Sequence, residues 1–449
     1  MIQESVHAAT RSVASFLRMS LLGGVLIPPV LAQIVTVPPD PGCTASEAWN
    51  IQVNPQTDPT GLRNNQYTQT NSYNWVYELT NPGAAALLQG QYPAVRYMSF
   101  ELFNQTGTFI GGINGGSIVP DSGQNNPFVS GSAQGTYTVV ISSSAAPPTP
   151  APNTLYTSGQ TDLLLNYRFY YPTVPTNVTG GAALPTISIN GVPITTCPAE
   201  PIISPATSTV WGRLDQTNFV GMPPPKPYPA TVALQLATTP PTNPPTPKAV
   251  VPTSSTPFFP SIDNSYLVTM LSREYLNSPY TNNLAVIRFM APTFPNTQAG
   301  ALASAPGQVR DWTVCTDDVV STAVSRCAAD NESTNVNGFV TFVISDPGQE
   351  PSASTLSQWG ATWIAWGALE SSDVLYSETG NQTYTNANGV FYFTPVYYFQ
   401  TDADPNWAQS IRNIAQLPGP LQPVAMGAYW PTAGYCTLSA FEALGAGCF

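Results

Sequence analysis

The chain contains one histidine, His7. Histidine is the usual general base near neutral pH and the commonest metal-ligating side chain. Its single copy lies in a segment that reads as an export signal. Ser-His-Asp hydrolysis, Cys-His chemistry and His-ligated metal sites therefore fall away as functions of the remaining chain. Carboxylates are the acid–base groups that are left. Glycoside hydrolysis needs two of them facing each other across a cleft. Glu101, Asp121, Asp311, Asp317, Asp318 and Glu378 lie near the ends of strand-like runs. The adjacent pair Asp317 and Asp318, just after Cys315, and Glu101 are the candidate catalytic residues. Neighbours along a chain seldom converge on one substrate, so the plainer expectation for the pair is a solvated hairpin tip closed by a disulfide. Asp402-x-Asp404-Pro-Asn406 offers calcium-type oxygen ligands but lacks the rest of an EF-hand loop, and reads more simply as a turn. A Gly-x-Ser-x-Gly nucleophile elbow is absent. No metal and no cofactor is expected.

Binding candidates come from two residue types. Charged residues make up only 8% of the chain, against about 25% in ordinary domains, so an arginine inside a strand is informative. Arg96 and Arg310 open equivalent strands, and Arg168 lies within a third. They read either as an anion clamp or as structural ion pairs holding one part of the chain against another. Trp359, Trp363 and Trp366 cluster in sequence. Exposed aromatic faces stack on sugar rings, whereas buried ones fill β-sandwich cores.

The elements that must position these residues are short. Runs rich in Val, Ile, Tyr, Phe and Thr, bounded by Gly, Pro, Asn and Ser, read as β-strands. They occur twice in the same order. Asn71-Ser72-Tyr73 recurs as Asn264-Ser265-Tyr266, and Arg96 to Phe100 as Arg310 to Val314. Gly135 to Ser142 recurs as Gly338 to Ser345, Asn153 to Tyr156 as Thr362 to Ala365, and Leu163 to Pro172 as Val390 to Phe399. In the third pair, Tyr137, Val139 and Ile141 alternate with polar neighbours and share one face. Short helices are expected over Asn71 to Leu79, Asn264 to Leu276 and Asn406 to Ile414. The expected fold is mostly β: two similar antiparallel β-sandwich or jelly-roll-like domains from an internal duplication, with a few short helices.

The expected organisation is a signal peptide at 1–32, a first unit at 33–221, a proline-rich connector at 222–261 and a second unit at 262–449. Arg11 and Arg18 precede an apolar run broken by Pro28 and Pro29, with Ala32 at the cleavage site. No later segment is apolar for long enough to span a bilayer. The formal net charge is −12 and the lysines are only Lys226 and Lys248, which argues against nucleic acid as a partner. Six cysteines in an exported chain favour disulfides. Fifteen pairings are open to six cysteines; proximity suggests Cys315–Cys327 and Cys436–Cys448, leaving Cys43–Cys197. Asn104, Asn177, Asn331 and Asn381 are glycosylation sequons if the source is eukaryotic.

Several motifs agree in order with a known group. Arg96-Tyr-x-Ser-Phe, Ile118-Val-Pro-Asp-Ser-Gly, Asn126-Pro-Phe, Asn153-Thr-Leu-Tyr, Tyr167-Arg-Phe-Tyr-Tyr-Pro and Gly180-Gly-x-x-Leu-Pro come first. Gln308-Val-Arg-x-Trp-x-x-Cys, Val343-Ile-Ser, Met426-Gly-x-Tyr-Trp-Pro and Tyr435-Cys436 follow. From about Asn71 onward the chain resembles a family of uncharacterised secreted proteins with a tandem β-sandwich repeat. More distantly, it is similar to a jelly-roll domain of large bacterial proteins. The resemblance implies a fold and a location but no activity. The chain departs from the repeat at one point: Gln400 lies near the place of Arg168 in the second copy.

These readings lead to one expectation and two rivals. The first is a secreted, non-catalytic cell-surface or extracellular binding or structural protein, with carbohydrate or another uncharged ligand as partner. The rivals are a carboxylate-based, glycosidase-like hydrolase and a self-assembling extracellular subunit.

Overall fold

The computed structural model describes residues 35–36, 49, 51–53, 69, 71–79, 82–104, 108–131, 134–194, 201–202, 261–275, 283–317, 324–365, 385–386, 389–418 and 421–449. The expected signal peptide, most of the proline-rich connector, Cys43, Cys197, Asp318, Trp366, Glu378 and Asn381 lie outside these residues. The first copy contributes β1 (Ser72–Leu79), β2 (Ala85–Gln91), β3 (Val95–Asn104), β4 (Phe109–Asn114), β5 (Thr136–Ser142), β6 (Thr154–Tyr156), β7 (Leu163–Pro172) and β8 (Thr186–Ile189). The second contributes β9 (Asn264–Tyr275), β10 (Asn283–Met290), β11 (Asp311–Asp317), β12 (Val324–Ala329), β13 (Phe339–Ser345), β14 (Ala361–Ala365), β15 (Gly389–Thr401) and β16 (Thr432–Thr437).

The duplication is visible in the pairing. One sheet of the first copy runs β1-β7-β3-β4, and its counterpart runs β9-β15-β11-β12. The other runs β8-β2-β5-β6, with counterpart β16-β10-β13-β14. All these pairings are antiparallel except one in each copy: β5 with β6, and β13 with β14, are parallel. Ile141 lies opposite Leu155 in the first copy, and Ile344 opposite Ile364 in the second. A parallel partner cannot be reached by a tight hairpin. In both copies the connecting segment is longer, and in the second it contains α1 (Ala353–Trp359).

Each pair of sheets encloses its own core. In the first, Tyr73, Met98, Phe100, Tyr167 and Phe169 from one sheet meet Leu88, Val139, Ile141 and Ile187 from the other. In the second, Leu267, Trp312, Val314 and Tyr398 meet Ile287, Phe289, Val340, Phe342 and Ile344. Each copy is thus a two-layer sandwich, with period-two alternation turning one side-chain set inward.

The three expected helices and the phase of one repeat are corrected. The segments expected as helices over Asn71 to Leu79 and Asn264 to Leu276 are the strands β1 and β9. Tyr73, Tyr77 and Leu79 all reach the core; this alternation is satisfied by a pleated strand and not by a helical turn. The third expected helix forms only at its end, as α2 (Ile411–Ile414), with Ser410 as its cap. The Asn-Ser-Tyr repeat is also one residue out of phase. Tyr73 packs into its core, whereas Leu267 takes that role in the second copy. Tyr266 instead lies against Tyr397 and Phe399. A slip of one residue turns a strand side chain to the opposite face.

The disulfides Cys315–Cys327 and Cys436–Cys448 are both formed. The first joins residues directly opposite each other on β11 and β12. The second ties β16 to the chain end beyond α3 (Leu438–Leu444). No described helix is long and apolar enough to cross a membrane. Replacing Cys315 and Cys327 together by serine releases a crosslink spanning 12 residues. The expected cost is about 3 kcal/mol, read as a lower urea midpoint in oxidising buffer with an unchanged slope.

Candidate functional site

A strand buried on both faces needs a second cover. β3 alternates Met98, Phe100 and Leu102 into the core, yet Tyr97, Ser99, Glu101 and Phe103 on its other face are also buried. Part of that cover is the second copy. The hydroxyl of Tyr97 donates to Asp263 Oδ2 at 2.9 Å, and Asn114 Nδ2 donates to the same oxygen at 2.6 Å. The Ile262 N–H donates to Glu101 Oε1 at 3.2 Å. Tyr171 Oη and Thr313 Oγ1 are 2.8 Å apart. Tyr97, Tyr170, Tyr171 and Ala329 form a small apolar cluster across the same seam. Gly112 permits the close approach there: a Cβ on it would lie 2.7 Å from Ile262 Cγ2 and 3.1 Å from the Phe100 carbonyl oxygen.

At the end of this seam is a buried charge cluster. Arg96, at 0% exposure, directs Nη1 to Asp330 Oδ2 at 2.5 Å. The guanidinium lies over the Tyr171 ring at 4.1 Å and the Phe294 ring at 5.0 Å, two cation–π contacts in a desolvated site. Asp330 Oδ2 also accepts the Trp312 N–H at 3.2 Å. Asp311, likewise at 0% exposure, accepts the Thr401 hydroxyl at 3.1 Å through Oδ2. Burial pushes the Asp311 carboxyl up to about 8, helped by the neighbouring Asp330 and opposed by Arg96. Burial pushes Asp330 up to about 6, opposed by Arg96.

A second buried pair sits further along. Arg168 Nη2 lies 3.4 Å from Glu101 Oε2, and its Nε donates to Asn74 Oδ1 at 2.7 Å. Ser99 Oγ donates to Glu101 Oε1 at 3.1 Å. Burial raises the Glu101 pKa, against the pull of Arg168 and these hydrogen bonds. Arg310 is different again. Its Nη1 donates to the carbonyls of Ala303 and Ala305 at 2.7 and 2.9 Å, and its Nε lies 3.8 Å from Asp402 Oδ2. Arg96 and Arg310 open equivalent strands, but one is caught across the seam and the other within its own copy. Gln400 holds α2 by accepting the Ile411 N–H at 2.8 Å.

The remaining candidates scatter. Asp317 is buried at the end of β11, which corrects the expectation of a solvated tip at that residue. Asp404 Oδ1 accepts the Asn406 N–H at 2.8 Å, the turn geometry expected of an Asp-Pro-Asn run. Asp402 faces Arg310. No group of three or more potential metal ligands converges among the described residues. Of the expected tryptophan row, Trp359 and Trp363 are described, and neither is set out as a free flat face. Trp359 Nε1 donates to the Glu442 carbonyl at 3.1 Å, and its ring occupies the space a Cβ on Gly445 would need. Trp363 Nε1 donates to Ser345 Oγ at 3.0 Å. Both pack against the cluster that seats Phe441 and Cys436. Of the sequons, Asn104 accepts the Thr108 N–H, and Asn177 accepts the Thr179 N–H and hydroxyl. The Asn331 amide donates to Gln298.

Sequence reasoning singled out Arg96, Arg168, Glu101 and Asp311 but missed Asp330, Asp263 and Tyr171. The local run Asp330-Asn331-Glu332 reads as an ordinary turn. Only the long-range pairing of two copies gives Asp330 its partner.

No protein-family model matches the chain, and no curated protein matches it. Among solved structures it is similar to an uncharacterised protein from Burkholderia cenocepacia. The identity is 12% over 83% of this chain and 78% of that one, with a TM-score of 0.46. It is also similar to a protein from Vibrio parahaemolyticus, at 9% identity over 88% of this chain and 96% of that one, with a TM-score of 0.36. Neither name states an activity.

Removing one member of a buried ion pair leaves an uncompensated charge, whereas replacing both with apolar groups is far less costly. Arg96→Met is expected to destabilise the protein by about 3–5 kcal/mol. The double variant Arg96→Met/Asp330→Leu is expected to recover most of that loss. Urea denaturation of the two variants and the parent chain at neutral pH measures both.

Proposed function

We propose that this chain is an exported, non-catalytic protein that acts outside the cell as a binding or structural component, with an uncharged ligand, carbohydrate first, as its partner. The observation that carries this reading is where the acid–base groups go. Glu101, Asp311 and Asp330 are buried in or beside the seam and engaged with Arg168, Thr401 and Arg96. A general acid or base must come within hydrogen-bond reach of its substrate, and side chains closed off by a second sandwich do not. The two disulfides support an oxidising compartment. The exposed surface supports an uncharged partner: loops 143–153 and 173–185 contain no charged side chain. Electrostatic complementarity would steer an ionic ligand elsewhere.

The hydrolase reading keeps one point in its favour, namely two carboxylates with raised pKa values beside the same arginine. An array of neutral oligosaccharides, run beside a glycosidase panel from about pH 4 to 7, separates the two. Binding without turnover is the expected result. Turnover that disappears in Asp311→Asn would transfer the protein to the hydrolases. Silence in both assays would leave the structural role and remove carbohydrate from the reading.

A further inference from the structure

The seam brings together one cation and two acids with almost no exposure to solvent. Arg96 comes from the first copy, Asp311 and Asp330 from the second, and all three are 0–4% exposed. The groups facing Asp311 come from every element around it. Asp330 stands at the end of β12, Arg96 at the start of β3, Thr401 and Asp402 at the end of β15, and Tyr170 and Tyr171 at the end of β7. The two carboxylates are not equivalent. Asp330 has the guanidinium at 2.5 Å and the Trp312 N–H at 3.2 Å. Among the described residues Oδ1 of each acid has no hydrogen-bond partner, and Asp311 has only the Thr401 hydroxyl on Oδ2, with no guanidinium in contact. An isolated ionised carboxylate is too costly to bury and takes a proton instead.

We propose that the seam is a proton-dependent clasp: Arg96 holds Asp330 as the carboxylate, Asp311 carries a proton, and loss of that proton in alkali loosens the two sandwich units from each other. Deprotonation would put a second negative charge beside Asp330 with one guanidinium between them. The contacts at risk are those that cross the same seam: Tyr97 and Asn114 on Asp263, and Tyr171 on Thr313. The tyrosines do not pre-empt this change. Burial drives Tyr170 up to about 12 and Tyr97 and Tyr171 above the ordinary range.

The sign of the pH dependence follows from linkage. A carboxyl that binds its proton more tightly in the folded protein than in the unfolded chain stabilises the fold fully at low pH, and loses that contribution as pH rises through its folded value. With folded values of about 6 for Asp330 and Asp402 and about 8 for Asp311, the loss begins near the unfolded carboxyl value of about 3.9 and is complete a little above the folded value of Asp311. Asp311→Asn keeps the shape of the protonated acid and cannot ionise. In the full chain, thermal unfolding from about pH 3.5 to 9.5 is expected to show a declining Tm for the parent. Asp311→Asn should match the parent at the acid end, melt above it at the alkaline end, and remove most of the decline above about pH 6, where Asp330 and Asp402 have titrated. Glu442→Gln, on the exposed face of α3, should leave the decline as it is. Small-angle scattering of the parent chain is expected to give a larger radius of gyration at the alkaline end, with circular dichroism unchanged. Parallel Tm profiles for the parent and Asp311→Asn would overturn the proposal. So would a radius of gyration that stays constant across the range, a measurement that needs no variant to fold.

Discussion

The arrangement of the two copies depends on a desolvated ion pair between Arg96 and Asp330. Moving two ions from water into a protein interior carries a desolvation penalty of several kcal/mol each, and only close geometry with further partners offsets it. Here the geometry is supplied from both sides. The first copy provides the guanidinium and the Tyr171 ring; the second provides the carboxylate, the Trp312 N–H and the Phe294 ring. Neither copy alone holds the complete set. An ion pair of this kind is a weak source of stability, and fixing register is its best-attested use. Displacing one sandwich along the other leaves a bare charge in an apolar seam. The surrounding neutral contacts, Tyr97 with Asp263 and Tyr171 with Thr313, then have one geometry in which to form.

The fold was legible in the sequence where side-chain alternation and repetition agreed. Gly135 to Ser142 and Gly338 to Ser345 match in pattern: Tyr137, Val139 and Ile141 face one core as Val340, Phe342 and Ile344 face the other. Leu155 and Ile364 do the same from the parallel edge strands. The strands β1 and β9 were harder. Asn before a run of Ser, Tyr and Val satisfies the rule for a helix cap, and that local rule predicts helices. The alternation of Tyr73, Tyr77 and Leu79 was already present and is what a pleated strand needs. The out-of-phase Asn-Ser-Tyr repeat has a related origin. Three matching letters do not fix which face a residue takes, and only pairing with β15 shows that Leu267, not Tyr266, faces inward.

The site was half legible for a different reason. In a chain with 8% charged residues, each arginine within a strand demands a partner, so Arg96 and Arg168 could be marked without any structure. Their partners could not. Glu101 reaches Arg168 only because β3 and β7 pair. Asp330 lies 234 residues from Arg96, and nothing local separates it from a solvated turn aspartate. The tryptophans show the converse. Trp359 and Trp363 are close in sequence, yet α1 ends between them at Gly360. One indole then seats the end of α3, and the other bonds to Ser345.

Scarcity of charge also explains why so few ionic groups determine so much. A surface of Thr, Ser, Asn, Gln and Pro gives the two sandwiches no long-range electrostatic preference for one docking mode over another. Apolar contact between sheets is non-directional and tolerates sliding. Direction must therefore come from the few groups that fail badly when misplaced. Arg96 meets that requirement because its partners in the other copy converge from the end of β12 and the Phe294 loop. Arg310, at the equivalent strand start, does not: backbone carbonyls of its own copy satisfy it. The duplication thus supplied two arginines at matching positions. The seam uses one of them, and this asymmetry makes the two copies halves of a single assembly rather than interchangeable repeats.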